Sequence, residues 1–281
     1  MLKQKAIILL LRLLAKLPLI VVHALGYLLG WLIYFAHKKH AHLIQQNLKS
    51  SQLASNPISF KQIRHRNIGE TGKALLETFA IWFKPYKKLE SFYQSCSGWE
   101  HVEKGLSAGK GIIFLTPHLG CFEITSLYYG QFHPITVLFR PPRQAWLMPL
   151  IQEGRQRGQV SLAPANQQGV KQLLQALKRG EAIGILPDQA PYEGEGEWAP
   201  FFGRSAYTMT LASKLAEKTG AQVLMAFGER LPKGRGYHIH IEPIAAGGVA
   251  TATLLNQAIE RVIAQCPSQY MWAYDRYKVR N

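Results

Sequence analysis

His118 and Glu123 stand five residues apart in Pro117-His118-Leu119-Gly120-Cys121-Phe122-Glu123, directly after the apolar run Gly111–Thr116. An imidazole changes charge near neutral pH, and a nearby carboxylate favours its imidazolium form. General-base catalysis uses that pairing. The apolar run reads as a buried strand, which Pro117, His118 and Gly120 break, and Glu123 opens a helix predicted to run through Tyr129. The histidine thus falls on a loop at the carboxyl end of a strand, where open α/β sheets keep their active sites.

Three further polar groups stand out, two of them at strand ends and one in an acidic loop. Arg140 and Arg143 flank Pro141-Pro142 after the predicted strand Pro134–Arg140. Their guanidinium groups suit a phosphate or carboxylate, or simply a solvated strand terminus. Asp188 and Gln189 close the predicted strand Ala182–Leu186, placed to orient a substrate or an arginine, or to cap a turn. Glu193, Glu195 and Glu197, spaced by glycines, match no metal loop and read as a solvated lid, so no metal site is expected. Phe201 and Phe202, ahead of Gly203 and Arg204, border an apolar channel or join the core.

Cys96, Cys121 and Cys266 are an odd, unclustered set, neither a disulfide framework nor a zinc site, and they point to a reducing compartment. Cys121 lies inside the histidine motif and is a rival nucleophile. A serine hydrolase is disfavoured because the chain has no Gly-x-Ser-x-Gly elbow.

The elements that must position these groups alternate. Predicted helices cover Phe60–Trp82, Gln144–Arg157, Val170–Leu177, Tyr207–Thr219 and Leu254–Ile263. Further strands cover Val160–Ala163, Val223–Phe227 and His238–Ile241. Such alternation predicts an α/β fold with a mostly parallel central sheet covered by helices on both faces. The 281 residues carry 33 Lys and Arg against 17 Asp and Glu, a net charge of +16. That excess points to an anionic partner, a membrane surface or an acidic substrate or carrier. No nucleic-acid-binding signature accompanies it.

Leu17–Ala36 is a run of twenty residues without Asp, Glu, Lys or Arg. At about 1.5 Å per residue it spans roughly 30 Å, the hydrocarbon thickness of a bilayer. Lys3, Lys5, Arg12 and Lys16 precede it, and Lys38, Lys39 and His40 follow. Positive charge on both sides leaves the topology open. Gly26 and Gly30 form a GxxxG pair. Signal peptide, in-plane helix and buried core helix are the competing readings. We take residues 1–43 as a membrane-anchoring segment and residues 44–281 as the soluble domain.

Strand followed by His-x-x-x-x-Glu resembles the motif of membrane-bound glycerolipid acyltransferases. Val137-Leu138-Phe139-Arg140-Pro141, Leu186-Pro187-Asp188-Gln189, Pro200-Phe201-Phe202-Gly203 and Gln269-Tyr270-Met271-Trp272 are similar to segments of one branch, the bacterial lipid A late acyltransferases. The Phe-Pro-Glu-Gly-Thr-Arg-like segment of the phospholipid-making branch is missing. Pro117, where many relatives have Asn, and Cys121, where a small residue is common, depart from the pattern without touching the His–Glu pair.

The resemblance implies a glycerolipid acyltransferase-like fold with an N-terminal membrane helix at the bacterial inner membrane, its catalytic domain facing the cytoplasm. It implies an acyl carrier protein thioester as donor, a Kdo-bearing lipid A precursor as anionic acceptor, and no cofactor. By the same analogy His118 is the general base and Glu123 its orienting partner. Arg140, Arg143, Asp188, Gln189, Phe201, Phe202 and Arg204 bind substrate. Another glycolipid or phospholipid acceptor is the alternative within enzymes; a non-catalytic, basic protein that binds anionic lipid is the alternative outside them.

Overall fold

The run after Gly111 is an inner strand of a seven-stranded sheet in a computed structural model that describes residues 2–278. The side chains of Leu2 and Lys3 lie outside the described set, and with them the basic flank expected at Lys3. Four helices come first: α1 (Leu2–Leu14), α2 (Leu19–Ala36), α3 (Lys38–Ser51) and α4 (Pro57–Phe83). A single turn, α5 (Tyr86–Leu89), leads into the alternating part. This comprises β1 (Tyr93–Ser97), α6 (Trp99–Ser107), β2 (Ile112–Leu115), α7 (Phe122–Tyr129), β3 (Ile135–Phe139), α8 (Met148–Arg155), β4 (Val160–Pro164), α9 (Gln167–Lys178) and β5 (Ala182–Ile185). A hairpin of β6 (Gly196–Phe201) and β7 (Arg204–Met209) interrupts it before α10 (Leu211–Thr219), β8 (Gln222–Arg230), β9 (Tyr237–Pro243) and α11 (Ala252–Gln265).

The strand order is β1-β9-β8-β2-β5-β3-β4, parallel throughout except for the β8–β9 pair. β2 and β5 are buried at every residue. Continuous apolar strands of this kind belong to parallel sheets covered on both faces. One face carries Ile113, Leu115 and Ile185 against α9 and α11; the other carries Ile112, Phe114 and Leu224 against α7. The expected α/β architecture is the observed one.

One expected helix is corrected. Tyr207 lies in β7, and the helix begins only at Leu211. Phe202 (φ 45°) and Gly203 (φ 72°) form the two-residue link between β6 and β7. Positive φ at both central residues is what a tight hairpin turn needs, so this link commits the flanking residues to strands.

Helix α4 opens with a reciprocal cap between Asn56 and Ser59 and with Pro57 in its first turn, and then packs along α2. Glycines set that approach. A Cβ on Gly72 would stand 2.0 Å from the Gly26 carbonyl oxygen, and one on Gly30 2.1 Å from that of Ile68. His23 of α2 meets Glu77 of α4 at 3.0 Å. Glu77 also accepts hydrogen bonds from Arg230 of β8 (Nε, 2.8 Å) and from the Tyr237 hydroxyl (2.9 Å), all of them buried. Burial alone would raise the Glu77 carboxyl, but the Arg230 charge and its hydrogen bonds hold it far below the usual carboxylate range.

Candidate active site

The histidine loop leaves β2 at Thr116, whose N–H donates to Ile185 O at 2.9 Å. Gly120 adopts φ 59°, and a Cβ there would lie 2.1 Å from the Gly228 carbonyl oxygen, so glycine is required on both counts. A segment after α11 grips the loop from the other side. Gly120 N–H donates to Gln269 O at 3.1 Å, and Met271 N–H donates to His118 O at 3.1 Å. That segment is itself held from the N-terminal helices. Asn67 donates to the carbonyls of Ser268 (2.9 Å) and Tyr270 (2.7 Å), and Asn47 to those of Trp272 (2.8 Å) and Tyr274 (3.0 Å).

Asp188 lies beneath the loop and binds His118 with both oxygens. Oδ1 is 2.8 Å from Nδ1, and Oδ2 accepts the His118 backbone N–H at 2.9 Å. Burial would raise the Asp188 carboxyl, but the His118 charge and these hydrogen bonds outweigh it and leave the carboxyl below its ordinary value. A carboxylate accepts only, so Nδ1 carries a proton, and in the neutral form of the ring Nε2 is the nitrogen with the free lone pair. Nε2 lies 3.2 Å from the Gln189 side-chain amide nitrogen.

Glu123 is placed differently from the expectation that it orients the imidazole. Its Oε2 accepts from Trp82 Nε1 (3.1 Å) and from Arg155 Nε (2.8 Å), while Arg155 Nη2 donates to Oε1. The first turn of α7 aims Glu123 at α4 and α8, whereas the turn after β5 brings Asp188 under the ring. The described acceptor for the His118 Nδ1–H is therefore Asp188. Burial would weaken the Arg155 charge, but Glu123 more than offsets it and keeps the guanidinium firmly protonated. Arg155 Nη1 has no hydrogen-bond partner among the described residues, and Arg155 lines the cavity that His118 faces.

That cavity encloses about 750 Å³. One part runs under α7 between Phe114, Tyr128, Tyr129, Ile135, Ile239 and Ile241. The Tyr129 hydroxyl there is buried without a hydrogen-bond partner among the described residues. The lining of the cavity also includes the exposed Arg140, Lys171 of α9, Lys214 of α10 and Glu195. Arg140 lies over the Tyr192 ring at 4.5 Å.

His118, Glu123, Arg140 and Gln189 thus share one cavity, with Asp188 directly behind the imidazole. Four sequence-predicted residues lie outside it. Arg143 is exposed in the turn after β3 and is not part of the lining. The channel expected at Phe201 and Phe202 is corrected too. Phe201 is buried next to Tyr277, Phe202 packs on Trp272, and both belong to the hairpin. Arg204 stacks on Tyr277 at 3.7 Å rather than facing the cavity. Cys121 points into the core, and burial pushes its thiol well above the ordinary range, so it supplies no thiolate. Sequence reasoning missed Arg155, Lys171 and Lys214, which sit on amphipathic helices where a surface cation carries no distinguishing mark. It also missed Trp82, which closed a predicted helix only as one more apolar residue. Among the described residues no cluster of His, Cys, Asp and Glu suits a metal ion.

The sequence model described as bacterial lipid A biosynthesis acyltransferase matches residues 3–279. The chain is 27% identical over 277 residues to the lipid A biosynthesis lauroyltransferase of Escherichia coli K12, covering 95% of this chain and 89% of that protein. It is 25% identical over 270 residues to the lipid A biosynthesis palmitoleoyltransferase of the same organism, covering 94% and 87%. A lipid A biosynthesis acyltransferase of Haemophilus influenzae is 26% identical over 190 residues, 65% of this chain and 58% of that one.

Proposed function

Because the chain belongs to the bacterial lipid A biosynthesis acyltransferases and is an acyltransferase, we propose that it moves a fatty acyl chain from an acyl carrier protein thioester to a hydroxyl of the Kdo-bearing lipid A precursor. The observation that carries this reading is one cavity whose lining joins an oriented imidazole to apolar side chains of the sheet and α7 and to the cations Arg140, Lys171 and Lys214.

His118 Nε2 takes the acceptor hydroxyl's proton, displacing the Gln189 amide from the lone pair. Asp188 keeps the ring in the productive tautomer and stabilises the imidazolium, the part an aspartate plays in a serine-protease triad. The hydroxyl oxygen bonds to the thioester carbon, the carbon–sulfur bond breaks, and the imidazolium returns its proton to the departing thiolate. Negative charge on the tetrahedral oxygen meets the Arg155 guanidinium, which Glu123 holds in place. The arm under α7 houses the acyl chain. Arg140, Lys171 and Lys214 suit a phosphate or sugar acid of the acceptor, or the acidic face of the carrier. A water-insoluble acceptor and a cytoplasmic donor place the reaction at the cytoplasmic face of the inner membrane.

The test is transfer of radiolabel from carrier thioesters of several chain lengths to the Kdo-bearing precursor, with His118→Ala alongside. The variant should lose at least about a hundredfold in turnover; near-wild-type turnover refutes the base. Transfer to another glycolipid but not to the precursor would overturn the acceptor while leaving the chemistry intact.

A further inference from the structure

Helix α2 is long and apolar enough to cross a bilayer, yet its packing is at odds with a crossing. Its inner face is closed by α4 along its length, with His23 on Glu77, Gly26 against Gly72 and Lys73, Gly30 against Ile68, and the Tyr27 hydroxyl 3.0 Å from His65 Nε2. Along the same stretch α4 carries Arg64, Arg66, Glu70, Lys73 and Glu77. A crossing α2 would draw these groups into hydrocarbon, where a charge costs about 2.5–3.5 kcal/mol even on the lenient insertion scales. Pulling α2 off instead would leave the buried Glu77–Arg230 pair without its His23 partner and open a face of glycines. The GxxxG pair is used up inside the chain.

The outer face of α2 is different. Val21, Leu25, Leu28, Leu32 and Phe35 recur at steps of four, three, four and three, and all are exposed. Helix α1 adds Ile7, Leu10 and Leu13, also exposed. The exposed Lys5 and Lys16 come from α1 and the turn after it, and the exposed Lys38 and Lys39 from the start of α3, directly after α2. An apolar helix face flanked along the chain by lysines fits the boundary between anionic headgroups and acyl chains.

We propose that α1 and α2 form an in-plane seat in one leaflet of an anionic bilayer, so that the N-terminal segment stays on the same side as the catalytic cavity. Arg12 of α1 binds Glu153 of α8 at 2.8 Å, two residues from Arg155, which ties the seat to a helix that lines the cavity. The seat rests on the reading that the protein works at a membrane, and it is independent of donor and acceptor.

The experiment is cysteine labelling of the full chain in a Cys96→Ser background, where the buried Cys121 and Cys266 stay silent. Lys5→Cys and Arg261→Cys, both exposed positions, are treated with a membrane-impermeant maleimide in intact spheroplasts and again after permeabilisation. Both should label only after permeabilisation. Labelling of Lys5→Cys in intact spheroplasts overturns the seat and shows a crossing helix. Recovery of the chain in the soluble fraction overturns the membrane reading itself. In parallel, purified Leu25→Glu/Leu32→Glu protein should float with phosphatidylethanolamine–phosphatidylglycerol vesicles at least about tenfold less than the parent. Equal flotation removes the stripe as the lipid contact.

Discussion

Asp188→Asn is a substitution that keeps the shape of the site and changes only its proton arrangement. Asp188 accepts two hydrogen bonds from residue 118, from ring Nδ1 and from the backbone N–H. An asparagine has one oxygen to offer. If its NH2 faced the backbone N–H, two donors would oppose each other in a buried place, at a cost of about 1–3 kcal/mol. The oxygen therefore keeps the backbone N–H and the NH2 turns to the ring. Nδ1 must then accept, the ring proton moves to Nε2, and the lone pair proposed above as the base disappears. The equivalent change in a serine-protease triad costs about 10⁴ in turnover, or about 5.4 kcal/mol at 1.36 kcal/mol per decade. Glu123→Gln leaves the imidazole alone and weakens only the hold on Arg155, so it should lose about a hundredfold, the scale of one lost oxyanion donor. Single-turnover rates from a radiolabelled carrier thioester, with thermal melts to verify folding, measure both. An Asp188→Asn enzyme within about tenfold of wild type, beside a more damaged Glu123→Gln, would refute the reasoning and return the orienting role to Glu123.

The other predictions concern stability and chain selection. Glu77→Gln takes the bidentate carboxylate from buried Arg230, whose Nη1 keeps Glu70 as partner, and should lower unfolding free energy by about 1–3 kcal/mol in a denaturant titration. Because the folded Glu77 carboxyl lies below its unfolded value, its stabilisation is complete above about pH 4.3 and fades as pH falls below that range, so the variant should show a flatter acid limb. Gly72→Ala places a Cβ 2.0 Å from the Gly26 carbonyl oxygen, and should cost at least the roughly 1–3 kcal/mol of ordinary overpacking, whereas Leu75→Ala, at an exposed site on the same helix, should melt near wild type. Tyr129→Ala lengthens the apolar arm and should shift donor preference to longer acyl chains. Tyr129→Phe should keep the wild-type preference, since the lost hydroxyl has no partner among the described residues; competition between mixed-chain thioesters measures both.

The strands carrying His118, Arg140 and Asp188 were legible because each is a short apolar run ended by Pro or a polar residue, and the sheet buries just those runs. β1 was missed because Tyr93–Ser97 is an edge strand with a partly exposed, polar sequence, and edges lack the apolar signature of the interior. The β6–β7 hairpin was missed because its signal is two residues of positive φ, one of them a phenylalanine, and no propensity marks Phe202 for that conformation. Within the site, the gathering of His118, Glu123 and Gln189 could be read from strand ends. Which carboxylate holds the ring could not: sequence spacing favoured Glu123, five residues away, over Asp188, seventy residues away, and only the adjacency of β2 and β5 reverses that order.

The clamp on the histidine loop also has an order in time. Gln269 and Met271 leave the ribosome after the nine strands among the described residues, whereas Asn47 and Asn67, which receive that segment, lie on helices made near the beginning. A nascent chain can settle α2 against α4 and pair most of its sheet while the His118 loop still lacks two of its backbone hydrogen bonds. The clamp on the His118 loop would thus be complete only when translation has delivered the segment around residue 270. A chain stalled before that point would carry a His118 loop held on one side alone.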